Sequence, residues 1–182
     1  MTLGSLFDGI GGFPLSGALY GITPLWAAEI EQFPIRVTKA RFPQMEHLGS
    51  VTDIRGGEIP PVDVITFGSP CQDLSTAGLQ KGLAEGTRSS LFFEAIRIIK
   101  EMRKHDRAAG RADVDCRPRF AVWENVPGAF SSNGGQDFRA ALQALCGIRG
   151  GARPYCTSTS GRKVVQCWVH RGRRLERCLA CL

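Results

Sequence analysis

The chain has 182 residues, a length that suits one domain, and it carries a net charge of +6 with 43% hydrophobic and 22% charged residues. This composition is typical of an ordinary globular protein, and no apolar run is long enough to span a membrane. The first residues lack the basic start and the apolar core of a signal peptide, so we expect a cytoplasmic protein whose seven cysteines need not be paired.

The positive charge is concentrated at the C-terminal end. Residues 149–182 contain eight Arg or Lys and one acid, Glu176, which leaves 15 basic and 16 acidic residues in the first 148. The net charge therefore cannot be counted as a nucleic-acid-binding surface of the folded body.

Strand and helix patterns alternate over the first 148 residues. Apolar runs predict four strands, at 2–7, 24–28, 62–67 and 120–123. Apolar residues at helical spacing predict three helices, at 15–20, 32–42 and 89–104. This alternation predicts an α/β fold with a parallel sheet covered by helices on both faces, in which ligands bind beyond the carboxyl ends of the strands. The charged stretch from 105 to 118 is typical of a surface loop.

A glycine-rich turn and an acid follow the first two strands. The turn consists of Phe7, Asp8, Gly9, Ile10, Gly11 and Gly12. Glycine lets a backbone approach a ligand closely, although a plain strand-to-helix turn has the same composition. Glu29 ends the second strand, where a carboxylate can accept hydrogen bonds from a ribose diol. The alternative is a solvated acid like its neighbour Glu31.

Polar motifs also follow the other two strands. The run Gly68-Ser69-Pro70-Cys71-Gln72 puts a thiol in a polar turn at the ligand end of a strand, which favours a nucleophile over a buried structural cysteine. No His lies nearby in sequence, so a Cys-His hydrolase is not indicated. The run Glu124-Asn125-Val126 puts a carboxyl group beside the thiol, where it can act as a general acid. A helix-capping acid or a surface charge is the alternative.

Taken together with Gly86-Thr87-Arg88-Ser89-Ser90-Leu91-Phe92, these motifs have the order and spacing of a known family. Residues 1–146 resemble the DNA cytosine-5 methyltransferases, above all the bacterial and phage enzymes of DNA methylation and restriction-modification. The resemblance implies a Rossmann-like methyltransferase fold, S-adenosylmethionine as cofactor and double-stranded DNA as substrate. We expect a monomer without a metal ion.

The resemblance also implies the catalytic roles. Cys71 attacks C6 of a flipped cytosine, and Glu124 holds and protonates N3, which favours a partly desolvated carboxyl group. Asn125 orients the active-site loops. Arg88, at the end of a lid over 72–88, lies near the DNA phosphates.

The cofactor contacts follow from the same matching. The turn from Phe7 to Gly12 lines the methionine end, Glu29 holds the ribose and Ile30 packs on the adenine. Pro70 lies near the methyl group and Leu91 against the cofactor. Ser50 and Val51 stand where the family has an acid that contacts the adenine amino group, so adenine recognition there is expected to be weaker or different.

Nothing after Cys146 matches the family pattern, which continues with an arginine-containing strand, a target-recognition region and a final segment that completes the cofactor pocket. We therefore predict a C-terminally truncated catalytic domain over 1–146 and an aberrant, poorly ordered basic tail over 147–182. The tail is interpreted either as out-of-frame sequence or as a small metal site, and the candidate ligands are Cys178 and Cys181 with Cys156, Cys167 or His170.

Three functions stay open at this point. The chain is a DNA methyltransferase that depends on further parts, an inactive remnant that still binds the cofactor, or an RNA cytosine methyltransferase, since one branch of the family modifies tRNA. We expect the chain by itself to be inactive or nearly so.

Overall fold

The computed structural model of the chain describes residues 1–69, 91–126, 135–149, 155–157, 166–171 and 174–178. The chain divides into two compact units. The first is formed by residues 1–73 with 88–125, and the second by residues 74–87 with 126–182.

A five-stranded parallel sheet forms the centre of the first unit. Its strands are β1 (Thr2–Leu6), β2 (Thr23–Ala28), β3 (Glu46–His47), β4 (Val64–Phe67) and β5 (Phe120–Trp123), in the order β3-β2-β1-β4-β5. In register, Leu6 lies beside Ala28 and Phe67, and Phe67 lies beside Trp123. Four strands therefore end at the same level. The predicted strands are confirmed to within two residues, whereas β3 has too few residues to show a pattern.

Helices α1 (Gly12–Leu19), α2 (Gln32–Arg41) and α3 (Leu91–Ala108) accompany this sheet. Leu3 and Phe67 lie on opposite faces, because Phe67 is in register with Leu6 and successive residues alternate. Gly17 of α1 lies against Leu3, while the ring of Phe92 in α3 is centred 6.0 Å from the ring of Phe67. Helices thus cover both faces, as predicted. None of the helices among the described residues is long and apolar enough to cross a membrane.

Close packing of Trp26 on Gly4 fixes the central strands. A side-chain carbon added to Gly4 would lie 2.2 Å from the Trp26 ring, which is fully buried. The indole nitrogen of Trp26 donates a hydrogen bond to the carbonyl oxygen of Pro60 at 2.9 Å. The same side chain therefore fills the core and holds the segment that leads into β4.

The predicted surface loop over 105–118 is wrong in its first part, because α3 extends into it. Arg103 and Asp106 of α3 are buried. Arg103 donates a hydrogen bond to the carbonyl oxygen of Pro118 at 2.8 Å, and Asp106 accepts one from the amide of Arg117 at 2.9 Å. Burial raises the pKa of Asp106, but the hydrogen bonds and charge of Arg117 outweigh it and hold the pKa below its usual value. Charged residues that look solvated in the sequence thus anchor the entry to β5.

The second unit contains helix α4 (Gln136–Cys146), a short 3-10 turn (Gly147–Arg149) and three antiparallel strands. These strands are β6 (Tyr155–Thr157), β7 (Gln166–Arg171) and β8 (Arg174–Cys178), in that order. The tail therefore forms strands that its sequence pattern does not predict. The domain boundary at 146 and the poor order of 147–182 stay predictions.

Candidate active site

Described residues from four of the predicted motifs lie at one edge of the parallel sheet. Phe7 follows β1, Glu29 follows β2, Gly68 follows β4 and Glu124 follows β5. The sheet extends from β1 to β2 in one direction and from β1 to β4 in the other, and in sheets with this order a crevice is expected beyond the carboxyl ends of the two strands where the direction changes, here β1 and β4. Open parallel sheets bind ligands at such a crevice, so the topology favours this edge.

The turn after β1 presents open backbone. Phe7, Gly9 and Gly11 have positive φ values of 55°, 57° and 83°, and α1 begins at Gly12. A side-chain carbon added at Gly9 or Gly12 would meet no atom of the described residues within 4 Å, whereas at Gly11 it would lie 2.8 Å from Cγ2 of Thr38. A ligand can therefore approach this backbone closely beside a helix N-terminus, which favours negatively charged groups.

Glu29 ties this turn to the end of β2. Its Oε2 accepts a hydrogen bond from the amide of Gly9 at 2.8 Å. Its Oε1 accepts hydrogen bonds from the amides of Ile30 at 2.7 Å and Glu31 at 3.0 Å. A carboxylate offers about four lone-pair positions, so these three amides leave one on Oε2 for a ligand hydroxyl. To accept hydrogen bonds from both hydroxyls of a ribose, as predicted, Glu29 must share or release one of its three hydrogen bonds from backbone amides.

Asp8 is a buried residue of this turn, with 6% of its surface exposed. Its amide donates to the carbonyl oxygen of Ala28 at 3.1 Å, but neither carboxylate oxygen has a hydrogen-bond partner among the described residues. Burial raises the pKa of Asp8 to about 6, the nearby Ser5 hydroxyl lowers it in part and the charge of Glu29 raises it. Ser5 lies close to the carboxyl group but outside hydrogen-bonding geometry. The charge of Asp8 therefore changes in the weakly acidic range.

The other predicted cofactor contacts differ in exposure. Ile10 and Ile30 are 58% and 65% exposed and offer apolar surface that a purine ring can cover. Val51 is buried, and the hydroxyl of Ser50 is engaged with the hydroxyl of Thr52 at 2.7 Å. Backbone groups are therefore the parts of Ser50 and Val51 best suited to meet a base.

Three predicted catalytic or cofactor residues, Pro70, Cys71 and Arg88, lie outside the described residues. Their roles stay predictions. The described chain stops at Ser69 and resumes at Leu91, the half-buried first residue of α3.

Aromatic packing and one hydrogen bond hold the residues on either side of residues 70–90. The indole nitrogen of Trp123 donates a hydrogen bond to the hydroxyl of Ser69 at 3.4 Å. The ring of Phe92 lies 5.3 Å from the ring of Trp123 and 6.0 Å from that of Phe67. Packing thus joins the ends of β4 and β5 to the first turn of α3. It fixes the positions of Ser69 and Leu91, the described residues on either side of residues 70–90.

Glu124 stands beside the start of the predicted nucleophile turn. Its amide donates a hydrogen bond to the carbonyl oxygen of Phe67 at 3.0 Å, and its Oε2 lies 2.9 Å from the position of a side-chain carbon added to Gly68. Asn125, next to it, is half-buried. Glu124 itself is exposed, and the partial desolvation expected for the reacting complex stays a prediction. The cause of this exposure is its position at the open rim of the sheet.

Residues 1–148 match the family described as C-5 cytosine-specific DNA methylase. The chain belongs to this family. The match ends two residues after the predicted end of the methylase domain at Cys146, and it includes every motif described above.

Curated relatives of the methylase chain come from bacteria and phages. A DNA N-6-adenine-methyltransferase of Escherichia phage P1 is 35% identical over 136 residues, which are 72% of this chain and 17% of the phage protein. The type II methyltransferase M1.ScrFI of Lactococcus lactis subsp. cremoris is 35% identical over 141 residues, 77% of this chain and 32% of the relative. The type II methyltransferase M.NgoBI of Neisseria gonorrhoeae is 33% identical over 141 residues, 77% of this chain and 39% of the relative. The methylase chain thus spans well under half of each relative.

Two solved structures share the fold of the methylase chain. A protein described as a DNA modification methyltransferase encoded within a prophage of E. coli superposes with a TM-score of 0.57 and 24% identity, over 81% of this chain and 38% of its own. The S. pombe Dnmt2 methyltransferase superposes with a TM-score of 0.55 and 19% identity, over 81% of this chain and 42% of its own. These likenesses confirm the predicted Rossmann-like methyltransferase fold.

Arg97 contacts the segment that includes Val51, one of the predicted cofactor residues, but none of the sequence motifs contains Arg97. Its guanidinium donates hydrogen bonds to the carbonyl oxygens of Val51 at 3.2 Å and Ile54 at 2.8 Å. In the sequence, Glu94, Arg97 and Glu101 have the spacing of a solvated ion-pair ladder on a helix. That pattern hides the reach of Arg97 to a distant segment.

Three of the tail cysteines are in register across the antiparallel sheet, whereas Cys181 lies outside the described residues. Cys156 pairs with Cys167, and Cys167 pairs with Cys178. Neighbouring strands are about 4.8 Å apart, so the outer two cysteines are separated by about twice that distance. His170 is three residues from Cys167 on β7 and therefore lies on the opposite face. The residues that the structure describes contain no group of three or more candidate metal ligands, and the metal-site interpretation of the tail stays a prediction.

Proposed function

We propose that the chain carries the cofactor-binding and catalytic part of an enzyme that methylates C5 of cytosine in double-stranded DNA, with Cys71 as the covalent nucleophile. Family membership supports the reaction class, and the residues of this chain supply the assignment of roles. The monomeric state and the cytoplasmic location stay predictions.

The position of Glu124 carries the proposal. Its carboxylate lies over Gly68, and Cys71 is three residues further along the chain. A fully extended chain advances at most about 3.6 Å per residue, so the Cα atom of Cys71 is within roughly 11 Å of that of Gly68. A thiol and a carboxyl group within this range can act on two positions of one pyrimidine ring.

The residues at the ends of β1 and β2 fit S-adenosylmethionine. The open backbone at Gly9 and Gly12 suits the methionine carboxylate, the free position on Oε2 of Glu29 suits a ribose hydroxyl, and Ile30 offers apolar surface to the adenine. S-adenosylmethionine, when bound, supplies a methyl group activated by its sulfonium sulfur.

The chemistry assigned to the chain begins once a cytosine has been flipped out of the duplex, at a cost of a few kcal/mol. The Cys71 thiolate forms a bond to C6, and the Glu124 carboxyl donates a proton to N3. The ring electrons therefore accumulate at C5, which becomes the nucleophile. After methylation, the C5 proton leaves to water, the C6–S bond breaks to release the Cys71 thiolate, and N3 returns its proton to Glu124.

Two further residues are assigned positioning roles. Arg88 contacts the DNA phosphates, and Asn125 orients the loops around Glu124. Because Glu124 is exposed, the flipped base and residues 72–88 are the groups that would shield its carboxyl from water.

The test is transfer of a labelled methyl group to double-stranded DNA and to tRNA, by this chain alone and with the C-terminal part of a type II relative supplied. The chain spans only 32% and 39% of two such relatives, so the second condition gives the proposal its best chance. Nucleoside analysis of the DNA should find 5-methylcytosine. Label in tRNA alone would support the RNA interpretation, and cofactor binding without any transfer would support the inactive remnant.

Adenine methylation is a second candidate because of one specific observation. The phage P1 relative is described as a DNA N-6-adenine-methyltransferase, although the match covers 17% of that protein. Attack of a thiol on C6 of a pyrimidine activates C5 and has no counterpart in methylation of an exocyclic amine. The same nucleoside analysis separates the two, because N6-methyladenine that persists in a Cys71→Ala variant would contradict the cytosine proposal.

A further inference from the structure

We propose that Arg97 is a positioning residue for base recognition in the cofactor site, acting through the main chain of the segment from Val51 to Gly56. The inference rests on the proposed cofactor function, because it assigns the control of adenine recognition within that site.

Arg97 connects α3 to two points of the turn formed by Val51 to Gly56. One terminal nitrogen of its guanidinium donates to the carbonyl oxygen of Val51 at 3.2 Å, and the other donates to that of Ile54 at 2.8 Å. The guanidinium is held in turn by Glu94, whose carboxylate accepts from Nε at 2.7 Å, and by Glu101 at 3.0 Å. Hydrogen bonds that involve a charged group are the stronger ones in proteins, so this link is a firm one.

Glu101 fastens the far end of the same turn. Its Oε2 accepts a hydrogen bond from the amide of Gly56 at 2.8 Å. A side-chain carbon added to Gly56 would lie 2.3 Å from the carbonyl oxygen of Ile98, so this part of the turn rests directly on the α3 backbone. Arg97 and Glu101 together leave the turn little freedom to shift relative to the helix.

The placement of this turn matters for base recognition because the side chain of Ser50 is already engaged. The segment follows β3, whose His47 is in register with Ala27 of β2, so it begins beside the strand end that carries Glu29 and Ile30. The amide of Leu48 donates to the carbonyl oxygen of Ala27 at 2.9 Å, and the Ser50 hydroxyl is engaged with Thr52 at 2.7 Å. Base recognition then falls on the main chain around Val51. Main-chain donors and acceptors cannot adjust like a side chain, so their placement by Arg97 decides how well they distinguish an adenine.

The experiment compares binding of S-adenosylhomocysteine with binding of its inosine analogue, in which the 6-amino group is replaced by an oxo group. We expect Arg97→Ala to weaken binding of the adenine ligand by about tenfold to a hundredfold, with a smaller loss for the analogue. Arg97→Lys keeps the charge and one donor, so it should restore part of the preference. Arg41→Ala is the matched control, because Arg41 is an exposed arginine of α2 outside the segment from Val51 to Gly56.

Hydrogen exchange at the amides of Asp53 and Gly56, measured without ligand, separates the possible failures. Failure of the wild-type chain to bind either ligand would contradict the proposed cofactor function, and exchange rates unchanged by Arg97→Ala would contradict the docking itself. Normal affinity and normal base preference in a folded Arg97→Ala variant would overturn the inference and leave the proposed function in place. If Arg97→Ala does not fold, the base preference of Arg97→Lys decides, and a wild-type value there would also overturn it.

Discussion

The Oε2 atom of Glu124 lies 2.9 Å from the point where Gly68 would carry a side-chain carbon. The contact joins the residue after β5 to the residue after β4, and the hydrogen bond from the Glu124 amide to Phe67 at 3.0 Å holds the same two strand ends together. Any larger residue at position 68 would displace the carboxylate. A glycine three residues before the proposed nucleophile therefore reserves the space in which the proposed general acid stands.

Glu124→Gln is expected to lower turnover by about a hundredfold or more, because the amide keeps the shape but cannot supply a proton to N3. Single-turnover methylation of DNA, with the C-terminal part of a type II relative supplied, measures the effect. Glu58→Gln, a change at an exposed glutamate of the same protein, is the control. Near-normal turnover of the Glu124 variant would remove this residue from the mechanism.

Cys71 is expected to be trapped covalently by DNA that contains 5-fluorocytosine, because fluorine at C5 prevents the step that releases the thiolate. With the C-terminal part of a type II relative again supplied, mass spectrometry of the digested protein should find the adduct on the peptide that contains Cys71. Cys116→Ser is the matched control, since Cys116 is buried and precedes β5, whereas Glu124 follows it. An adduct on a different cysteine would be incompatible with the assignment.

Glu29→Ala is expected to weaken binding of S-adenosylmethionine by about tenfold to a hundredfold, through loss of a charge-assisted contact to the ribose. Loss of the bond to the Gly9 amide adds to the effect, because it frees the turn after β1. Calorimetry on Glu29→Ala and on Glu31→Ala gives the comparison. The ribose role would be wrong if both variants bound the cofactor like the wild type.

Asp8→Asn is expected to change how stability depends on pH. The pKa of Asp8 in the folded protein is raised to about 6 from 3.8, mainly by burial, so the folded state favours the neutral acid. This contribution is fully present below about pH 4 and is lost as the pH rises through 6, at a cost of up to about 3 kcal/mol. The stability of Asp8→Asn relative to wild type should therefore increase by about that amount between pH 4 and 7. Denaturant unfolding across this range measures it, with Asp53→Asn as the control, and a constant difference would mean that Asp8 is not titrating.

The three strands of the tail are expected to give little protection against amide exchange. A short three-stranded sheet needs a hydrophobic face or packing on a helix to be stable by itself, and the register pairs Arg171 with Arg174, two residues of like charge. Central residues such as Ile65 of β4 should exchange slowly and serve as the internal reference. Exchange at Val169 as slow as at Ile65 would contradict the predicted poor order of 147–182.

The sequence predicts features that depend on neighbouring residues in the chain, but not those that depend on residues far apart in the sequence. β5 was predictable to the residue because four apolar residues follow a charged stretch and end at an acid. Burial of Arg103 and Asp106 was not, because their partners lie 11 to 15 residues away and nothing in the local pattern marks them. In the candidate site, the motifs identified Glu29 and Glu124, whereas the amide bonds of Glu29 and the reach of Arg97 depend on how separate segments meet.

β5 is the last strand on its side of the described sheet, and it is also poorly covered. Phe120 is 51% and Val122 is 37% exposed, and no described strand pairs with the outer edge of β5. An exposed strand edge with apolar side chains is a template for pairing with another chain, and natural proteins normally cover or charge such edges. Addition of a strand from a second molecule at this edge is therefore the route by which we expect the chain to self-associate in concentrated solution.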